Sequence, residues 1–399
     1  MTIPQTLKGF RDFLPPAALQ RKWLIAKIVE VFEKFGFDPL ETPAIEYSQI
    51  LMGKYGEEAD KLLYCFDDRG GRNVSLRYDQ TVPTARVIAM YPELAKPFKR
   101  YQLQTVWRAE KPQKGRYREF LQCDADIIGS TSPISDAEIT TLVYSVMKNI
   151  GFTKFTILVN DRQLFGNAPL EAIRIIDKLT KIGKEEVKKQ LALKGFSQKL
   201  IDEIEKKQPT ENLQKIIGYC ENLGVDKNYL KFEPTLARGL DYYTSTIFEV
   251  VIEDFESGSV CGGGRYDKLI GLFSKSDIPA VGFAFGFDRL LQAANDLKIT
   301  PNTTTNSKVL VTIFSEELIE ISLQITSDLR NNGISAEIYP DANKKLDKQL
   351  KYADKKRIPW VIIIGPDEAK LGTVVLKNLA KKQQFTFLRS KIATALKNN

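Results

Sequence analysis

Seven consecutive residues, Ala237-Arg238-Gly239-Leu240-Asp241-Tyr242-Tyr243, set a cation, a flexible hinge, a carboxylate and two phenols side by side. Asp241, Tyr242 and Tyr243 cannot all be core, and the run 246–251 behind them reads as a β-strand. Polar groups at the mouth of a strand present a small-ligand site; read alone, the segment is equally a tight turn whose tyrosines pack by their rings. Two more arginines stand out by context. Arg108 closes a strand and opens a basic loop. Arg289 follows Val281-Gly282-Phe283-Ala284-Phe285-Gly286-Phe287-Asp288, a small-residue strand running into a helix. Such a junction suits an arginine that clamps phosphate. Three guanidinium groups converging from separate segments would suit a triphosphate and the charge it develops in reaction. Each alone reads as a surface ion pair.

Other residue types extend the pattern. Val260-Cys261-Gly262-Gly263-Gly264-Arg265-Tyr266-Asp267 is a glycine run after a strand. Glycine lets backbone approach a ligand closely, and the run is neither GxGxxG nor a Walker loop. Asp79 and Thr81 form an acceptor pair suited to an ammonium group. Gln122 and Asp126 lie at i and i+4 on one strand face, where Asp126 can accept from a ring N–H; the plain alternative is a polar outer face. The chain contains no histidine, which excludes imidazole triads, bases and metal ligands. Its cysteines, Cys65, Cys123, Cys220 and Cys261, form no CxxC pair, so no metal site from His or Cys is expected, only reduced thiols in or near the core. Chemistry must run on arginine, lysine, carboxylates and backbone dipoles, with or without a bound divalent ion.

These groups need elements to hold them. Apolar residues Leu19, Trp23, Leu24, Ile28, Val31, Phe32 and Phe35 form a helical stripe behind Pro15-Pro16, and residues 40–45 read as extended around Pro43. Strands are expected at 74–77, 99–108 and 119–128. Between the last two lies Ala109-Glu110-Lys111-Pro112-Gln113-Lys114-Gly115-Arg116-Tyr117, a hairpin tip rich in cations. Residues 170–193 and 199–223 look helical and dense in Lys and Glu. After the polar linker 301–306, strand and helix alternate at 308–314, 316–331, 335–339, 344–357 and 360–364, a compact α/β unit with parallel pairing. Lys344, Lys348, Lys351 and Lys355 recur there at helical spacing as a cationic stripe.

Composition bounds the rest. At 399 residues with 43% hydrophobic and 27% charged residues, the chain reads as a globular protein of two or three domains. No apolar run approaches the ~20 residues that span a bilayer, and the start lacks a signal pattern, so a cytoplasmic location and no membrane partner are expected. Net charge is +8, and from residue 308 onward 16 Lys+Arg against 10 Asp+Glu leave +6. A basic terminal domain suggests a polyanion partner.

In this order the pieces resemble the class II aminoacyl-tRNA synthetases, specifically the histidyl-tRNA synthetase family. The resemblance begins at Lys8-Gly9-Phe10-Arg11-Asp12 and covers nearly the whole chain. The helix and strand ending at Pro43 resemble class motif 1; Trp107 through Phe120, motif 2; Gly282 to Arg289, motif 3. Arg238 to Tyr243 and Gly262 to Asp267 resemble two signatures peculiar to the histidine enzymes. The resemblance implies an α+β fold: an antiparallel-sheet catalytic domain over 1–161 and 229–300, an inserted helical domain over 162–228, and a C-terminal α/β anticodon-binding domain over 307–399. It implies activation of L-histidine with ATP and transfer of the histidyl group to tRNA(His), with Mg2+ accompanying ATP and a homodimer formed through motif 1. It also implies roles. Arg108 and Arg238 are catalytic, and Arg108, Glu110, Arg116 and Arg289 bind ATP. Histidine falls to Asp79, Thr81, Gln122, Asp126, Arg238, Tyr242, Tyr243, Gly262 and Gly263; tRNA falls to Gln113, Arg118, Lys344, Lys348 and Lys351. Asp79 and Asp126 stand where many members carry Glu, which shortens each arm by a methylene and keeps the charge. A non-catalytic paralogue, such as the regulatory subunit of ATP phosphoribosyltransferase, is the alternative reading.

Overall fold

Period-two alternation splits the main sheet into an apolar face and a polar one. The computed structural model describes residues 2–53, 61–112, 117–238, 242–256 and 258–398. It divides into two compact units, Met1–Asp12 with Trp23–Thr300 and Phe13–Lys22 with Pro301–Asn399; each is described by itself.

In the first unit, helix α1 (Pro15–Lys34) contributes its later turns, and β1 (Asp38–Pro39) follows. A small antiparallel sheet holds β2 (Ile45–Tyr47), β3 (Cys65–Asp67) and β4 (Asn73–Leu76) in the order 2-4-3. Next come α2 (Thr81–Met90), β5 (Phe98–Trp107), β6 (Glu119–Ile128), α3 (Pro133–Ile150) and β7 (Phe155–Asp161). Helix α4 (Glu211–Asn222), β8 (Leu230–Phe232), β9 (Thr246–Ile252), β10 (Cys261–Arg265), β11 (Ala280–Gly286) and α5 (Phe287–Asp296) complete it. The eight-stranded sheet runs 1-5-6-11-10-9-7-8. Its six central strands are antiparallel to their neighbours, with parallel β1 and β8 at the edges.

On the apolar face, Tyr101, Cys123, Ala125, Ile127, Phe248, Val250, Val281, Phe283 and Phe285 form one buried core with Leu24, Ile28 and Phe32 of α1, Leu142 and Val146 of α3, and Leu290 of α5. Each large side chain buried there contributes ~1.5–3 kcal/mol. The other face is left to Arg100, Gln102 and Gln104 on β5, to Gln122, Asp124 and Asp126 on β6, and to Gly282, Ala284 and Gly286 on β11. Residues 162–228 hold five α-helices, not two long ones. The helices over 170–205 close round Ile173, Ile176, Val187, Leu191 and Ile201, whereas α4 joins α3 through Ile216, Cys220 and Ala137.

The second unit holds a five-stranded sheet of β12 (Val309–Val311), β13 (Ala336–Ile338), β14 (Trp360–Ile363), β15 (Thr373–Asn378) and β16 (Gln383–Leu388), in the order 13-12-14-15-16. Strands β12, β13 and β14 pair in parallel; β15 and β16 add an antiparallel hairpin that the alternation over 308–364 does not reach. Helices α6 (Ile319–Asn331) and α7 (Leu346–Lys355) flank it. Lys344 precedes α7 and lies 3.6 Å from Asp341, and Lys351 lies 2.8 Å from Asp347, so part of the cationic stripe is already paired. The cysteines carry no disulfide; three are buried, but Cys65 is exposed, contrary to the core placement expected. Among the described residues no helix is long and apolar enough to cross a membrane.

Candidate active site

Strand register builds the site floor. Across β5, β6, β11 and β10 one row reads Arg100, Asp126, Gly282, Gly264, and the next reads Gln102, Asp124, Ala284, Gly262, continuing to Glu249 on β9. Where β11 and β10 carry only glycine or alanine on this face, the flanking side chains close over bare backbone. A Cβ on Gly282 would collide with the Asp126 carboxylate, and one on Gly262 with the Arg238 guanidinium. Glycine is therefore a spatial requirement at Gly282, where backbone Ala125 O also lies within 2.7 Å, whereas at Gly262 a methyl would displace the Arg238 guanidinium.

Above this floor is a cavity of about 410 Å3 lined by Tyr78, Asp79, Thr81, Arg108, Glu110, Tyr117, Gln122, Asp126, Arg238, Tyr242, Tyr243, Gly262, Asp288 and Arg289, among others. That volume suits a small substrate or cofactor. The three arginines singled out by context thus share one chamber. Arg108 lies with its guanidinium carbon 4.3 Å from the Tyr78 ring centroid and 5.1 Å from that of Phe120, and its Nε donates to Tyr78 O at 3.1 Å. Arg289, on the first turn of α5, donates from Nη1 to Ser259 O at 3.3 Å. Arg238 Nη1 pairs with Glu249 Oε1 at 2.5 Å, and Arg162 Nη1 donates to its backbone O at 3.1 Å.

The chamber is also rich in acceptors. Asp79 Oδ1 accepts from Val82 N–H at 3.1 Å, which anchors the carboxylate on the first turn of α2. Gln122 Nε2 donates to Asp124 Oδ2 at 2.9 Å, leaving Gln122 Oε1 and Asp124 Oδ1 buried without hydrogen-bond partners among the described residues. Asp126 lies 2.5 Å from Arg100 Nη2 and also accepts from the Tyr266 hydroxyl. Burial pushes Asp124 well above the usual carboxylate range, with Arg100 opposing and Asp126 adding to the rise. It raises Asp126 too, against Arg100 and Tyr266. Burial works against the charge of Arg238, but Tyr243 and Glu249 outweigh it and raise its pKa. Such clusters of displaced titrations mark functional sites.

Some expected residues fall elsewhere. Gly263 points to the apolar face, where a Cβ would collide with Gly282 O and contact Phe248 and Phe283 at 2.6 Å; it is not part of the lining. Arg118 is drawn to the backbone of Glu110 (3.0 Å) and Lys8 (3.4 Å). Gln113, Arg116 and the Gly239-Leu240-Asp241 part of the opening motif lie outside the described residues. Arg265 of the glycine run is committed to Asp136, Asp267 and the carbonyls of Ser130 and Ser132, a structural anchor. Asp124, Arg100, Glu249 and Tyr266 join the site without having been singled out by sequence. Period-two alternation through Gln122, Asp124 and Asp126, and through Arg100, Gln102 and Gln104, carries the signal for the first two. Tyr266 lies inside the glycine run already singled out, though no role was read for it there; nothing local marks Glu249.

This antiparallel sheet, with arginines from a strand end, a loop and a helix start set over a glycine floor, defines a class II aminoacyl-tRNA synthetase catalytic domain. The family model for histidyl-tRNA synthetase matches residues 9–178 and 162–290, and that for the anticodon binding domain matches 308–399. The histidine–tRNA ligase of Cytophaga hutchinsonii is 38% identical over 442 residues, covering 96% of this chain and 97% of that protein. The crystal structure of histidyl-tRNA synthetase from Nostoc sp. PCC 7120 superposes with a TM-score of 0.88 at 29% identity, covering 100% of both chains. An ATP phosphoribosyltransferase regulatory subunit/histidyl-tRNA synthetase from Bacillus halodurans gives 0.71 at 23% identity over 86% of this chain and 95% of that one, a likeness of fold alone. The chain belongs to the histidyl-tRNA synthetase family.

Proposed function

We infer that the chain is a histidine–tRNA ligase, which activates L-histidine with ATP to the adenylate and pyrophosphate and then esterifies the 3′-end of tRNA(His). The observation that carries this reading is the convergence of Arg108, Arg238 and Arg289 with Asp79, Thr81 and Gln122 round one cavity. The histidine carboxylate attacks the α-phosphorus in line, and the P–O bond to pyrophosphate breaks. Little covalent work is asked of the protein, so positioning and electrostatic stabilisation dominate, and no imidazole is needed. Arg108, fixed between two rings, meets the α-phosphate with Glu110 toward the adenine. Arg289 meets the γ-phosphate, and Arg238 faces the α-phosphate from the amino-acid side.

Asp79, Thr81 and Gln122 take the ammonium group. Asp126 and Tyr243 read the imidazole, with Tyr242 and Gly262 shaping its chamber. Asp126 can do this although it serves Arg100 and Tyr266, because a carboxylate offers about four lone-pair sites. A pocket built to hydrogen-bond ring nitrogens rejects analogues that lack them. Among the described residues no three carboxylate or cysteine side chains gather as a metal cluster. Mg2+ would come with the ATP phosphates, since such an ion needs only one or two protein carboxylates. Mg2+ when bound would offset phosphate charge. A homodimer through the motif 1 region, a cytoplasmic location, and tRNA contacts from Gln113, Arg118, Lys344, Lys348 and Lys351 belong to the same reading.

The regulatory-subunit reading is not favoured: the Cytophaga ligase matches nearly end to end and the anticodon-binding model matches 308–399. Purified full-length protein should catalyse histidine-dependent ATP–pyrophosphate exchange, and Arg238→Ala should lower its rate ~10²–10³-fold in a protein that still folds, with a lower melting temperature because Glu249 loses its partner. Absent exchange in the wild type would point to the non-catalytic paralogue.

A further inference from the structure

The segment Lys8-Gly9-Phe10-Arg11 is strapped to the wall of the cavity. Gly9 O accepts from Arg118 N–H at 3.0 Å, and Lys8 O from Arg118 Nη1 at 3.4 Å. Gly9 has φ +92°, and a Cβ there would lie 2.9 Å from Arg118 Cγ, so conformation and space both demand glycine. This seating delivers Arg11. Its guanidinium carbon lies 3.1 Å from the centroid of the Tyr117 ring, and its Nη2 lies 3.0 Å from Asp288 Oδ2. Tyr117 and Asp288 both line the cavity. The two charged side chains are mostly shielded, at 26% and 12% exposure.

Asp288 is the immediate neighbour of Arg289 on the first turn of α5. An uncompensated carboxylate there would repel a polyphosphate beside the cation meant to hold it, with little screening by solvent. A planar guanidinium can pair with the carboxylate and stack flat on the phenol ring at once; an ammonium can pair but has no plane to stack.

We propose that Arg11 is a positioning residue for the nucleotide end of the site: it neutralises Asp288 and fixes Tyr117, so that a polyphosphate meets Arg289 without a competing negative charge. The proposal rests on the assignment of that end to ATP. It is tested on the full-length protein by exchange kinetics and by calorimetric ATP binding. Arg11→Ala should raise KM for ATP at least about tenfold, with KM for histidine within about twofold. Arg11→Lys, which keeps the charge and loses the stack, should fall between. In a double-mutant cycle, Arg11→Ala should add little in an Asp288→Asn background, because the two residues act together. A parallel rise in both KM values with a lowered melting temperature would mean a merely structural strap, and multiplicative losses in the cycle would also overturn the proposal. If the wild type shows no exchange, the ligase reading fails. The binding measurement still decides the role of Arg11, since an unchanged ATP affinity in Arg11→Ala refutes it.

Discussion

Two carboxylates, Glu249 and Asp177, act on Arg238. Glu249 pairs with it at 2.5 Å. Asp177, from the helical block, has its pKa lifted to about 6, chiefly by burial; Arg238 pulls it down and Glu249 pushes it up. The folded pKa thus exceeds the ordinary aspartate value of 3.8. The favourable contribution of this group is therefore full below pH ~4 and lost as pH rises through ~6. At neutral pH Asp177 holds an ionised group at a cost on the order of 2–3 kcal/mol. Asp177→Asn should accordingly raise the melting temperature at pH 8 while matching the wild type near pH 4. Equal melting temperatures at both pH values would show that the carboxylate is not desolvated. At this scale the sequence was partly readable. Arg108, Arg238 and Arg289 were marked by neighbouring glycine or by a strand end. Glu249 was not, since one acid in the apolar run of β9 has no local signature.

At the scale of elements, the glycines of β10 and β11 act by what they omit. Gly282→Ala would press a methyl into Asp126, with Asp126 Cγ and Ala125 O also within 2.7 Å of it. Overpacking of this kind costs ~1–3 kcal/mol, and the displaced Asp126 would loosen its pair with Arg100. Denaturant unfolding should register the loss, and KM for histidine should rise. Gly286→Ala is the control: its nearest neighbour would be Val260 O at 3.7 Å, so stability should stay within ~0.5 kcal/mol. Comparable losses in both variants would sink the account. The strands themselves were legible, because β6 spans the expected 119–128 and β5 nearly the expected 99–108. The long helices expected over 170–223 were not, because Lys- and Glu-rich stretches fit helical spacing across the turns that break them.

For the molecule as a whole, charge is concentrated in the unit that carries the anticodon-binding match. Neutralising Lys344, Lys348 and Lys351 together should weaken tRNA binding and flatten the dependence of log K on log salt. Each phosphate that is no longer neutralised removes ~0.7–0.9 from the slope. Because Lys344 and Lys351 already pair with Asp341 and Asp347, the total change should fall below that of three fully engaged lysines. An unchanged affinity and slope would make the stripe a solvated surface. The α/β alternation of this unit was readable through β14; the closing hairpin of β15 and β16 was not, since the strand-and-helix pattern stops there.

Local information determined which residues had chemistry to offer: cations beside glycines, acceptors at period two, and no imidazole anywhere. It also set the strands and helices that carry them, because side-chain alternation and turn residues act over a few positions. Only the tertiary structure decided which of those groups meet. Register across three strands brings Arg100 to Asp126 and lays Gly282 on the other side of Asp126, and chain folding sets Arg11 against Asp288. Those encounters depend on pairings between distant segments, whose free energy comes from burial and registry that no short window of sequence contains.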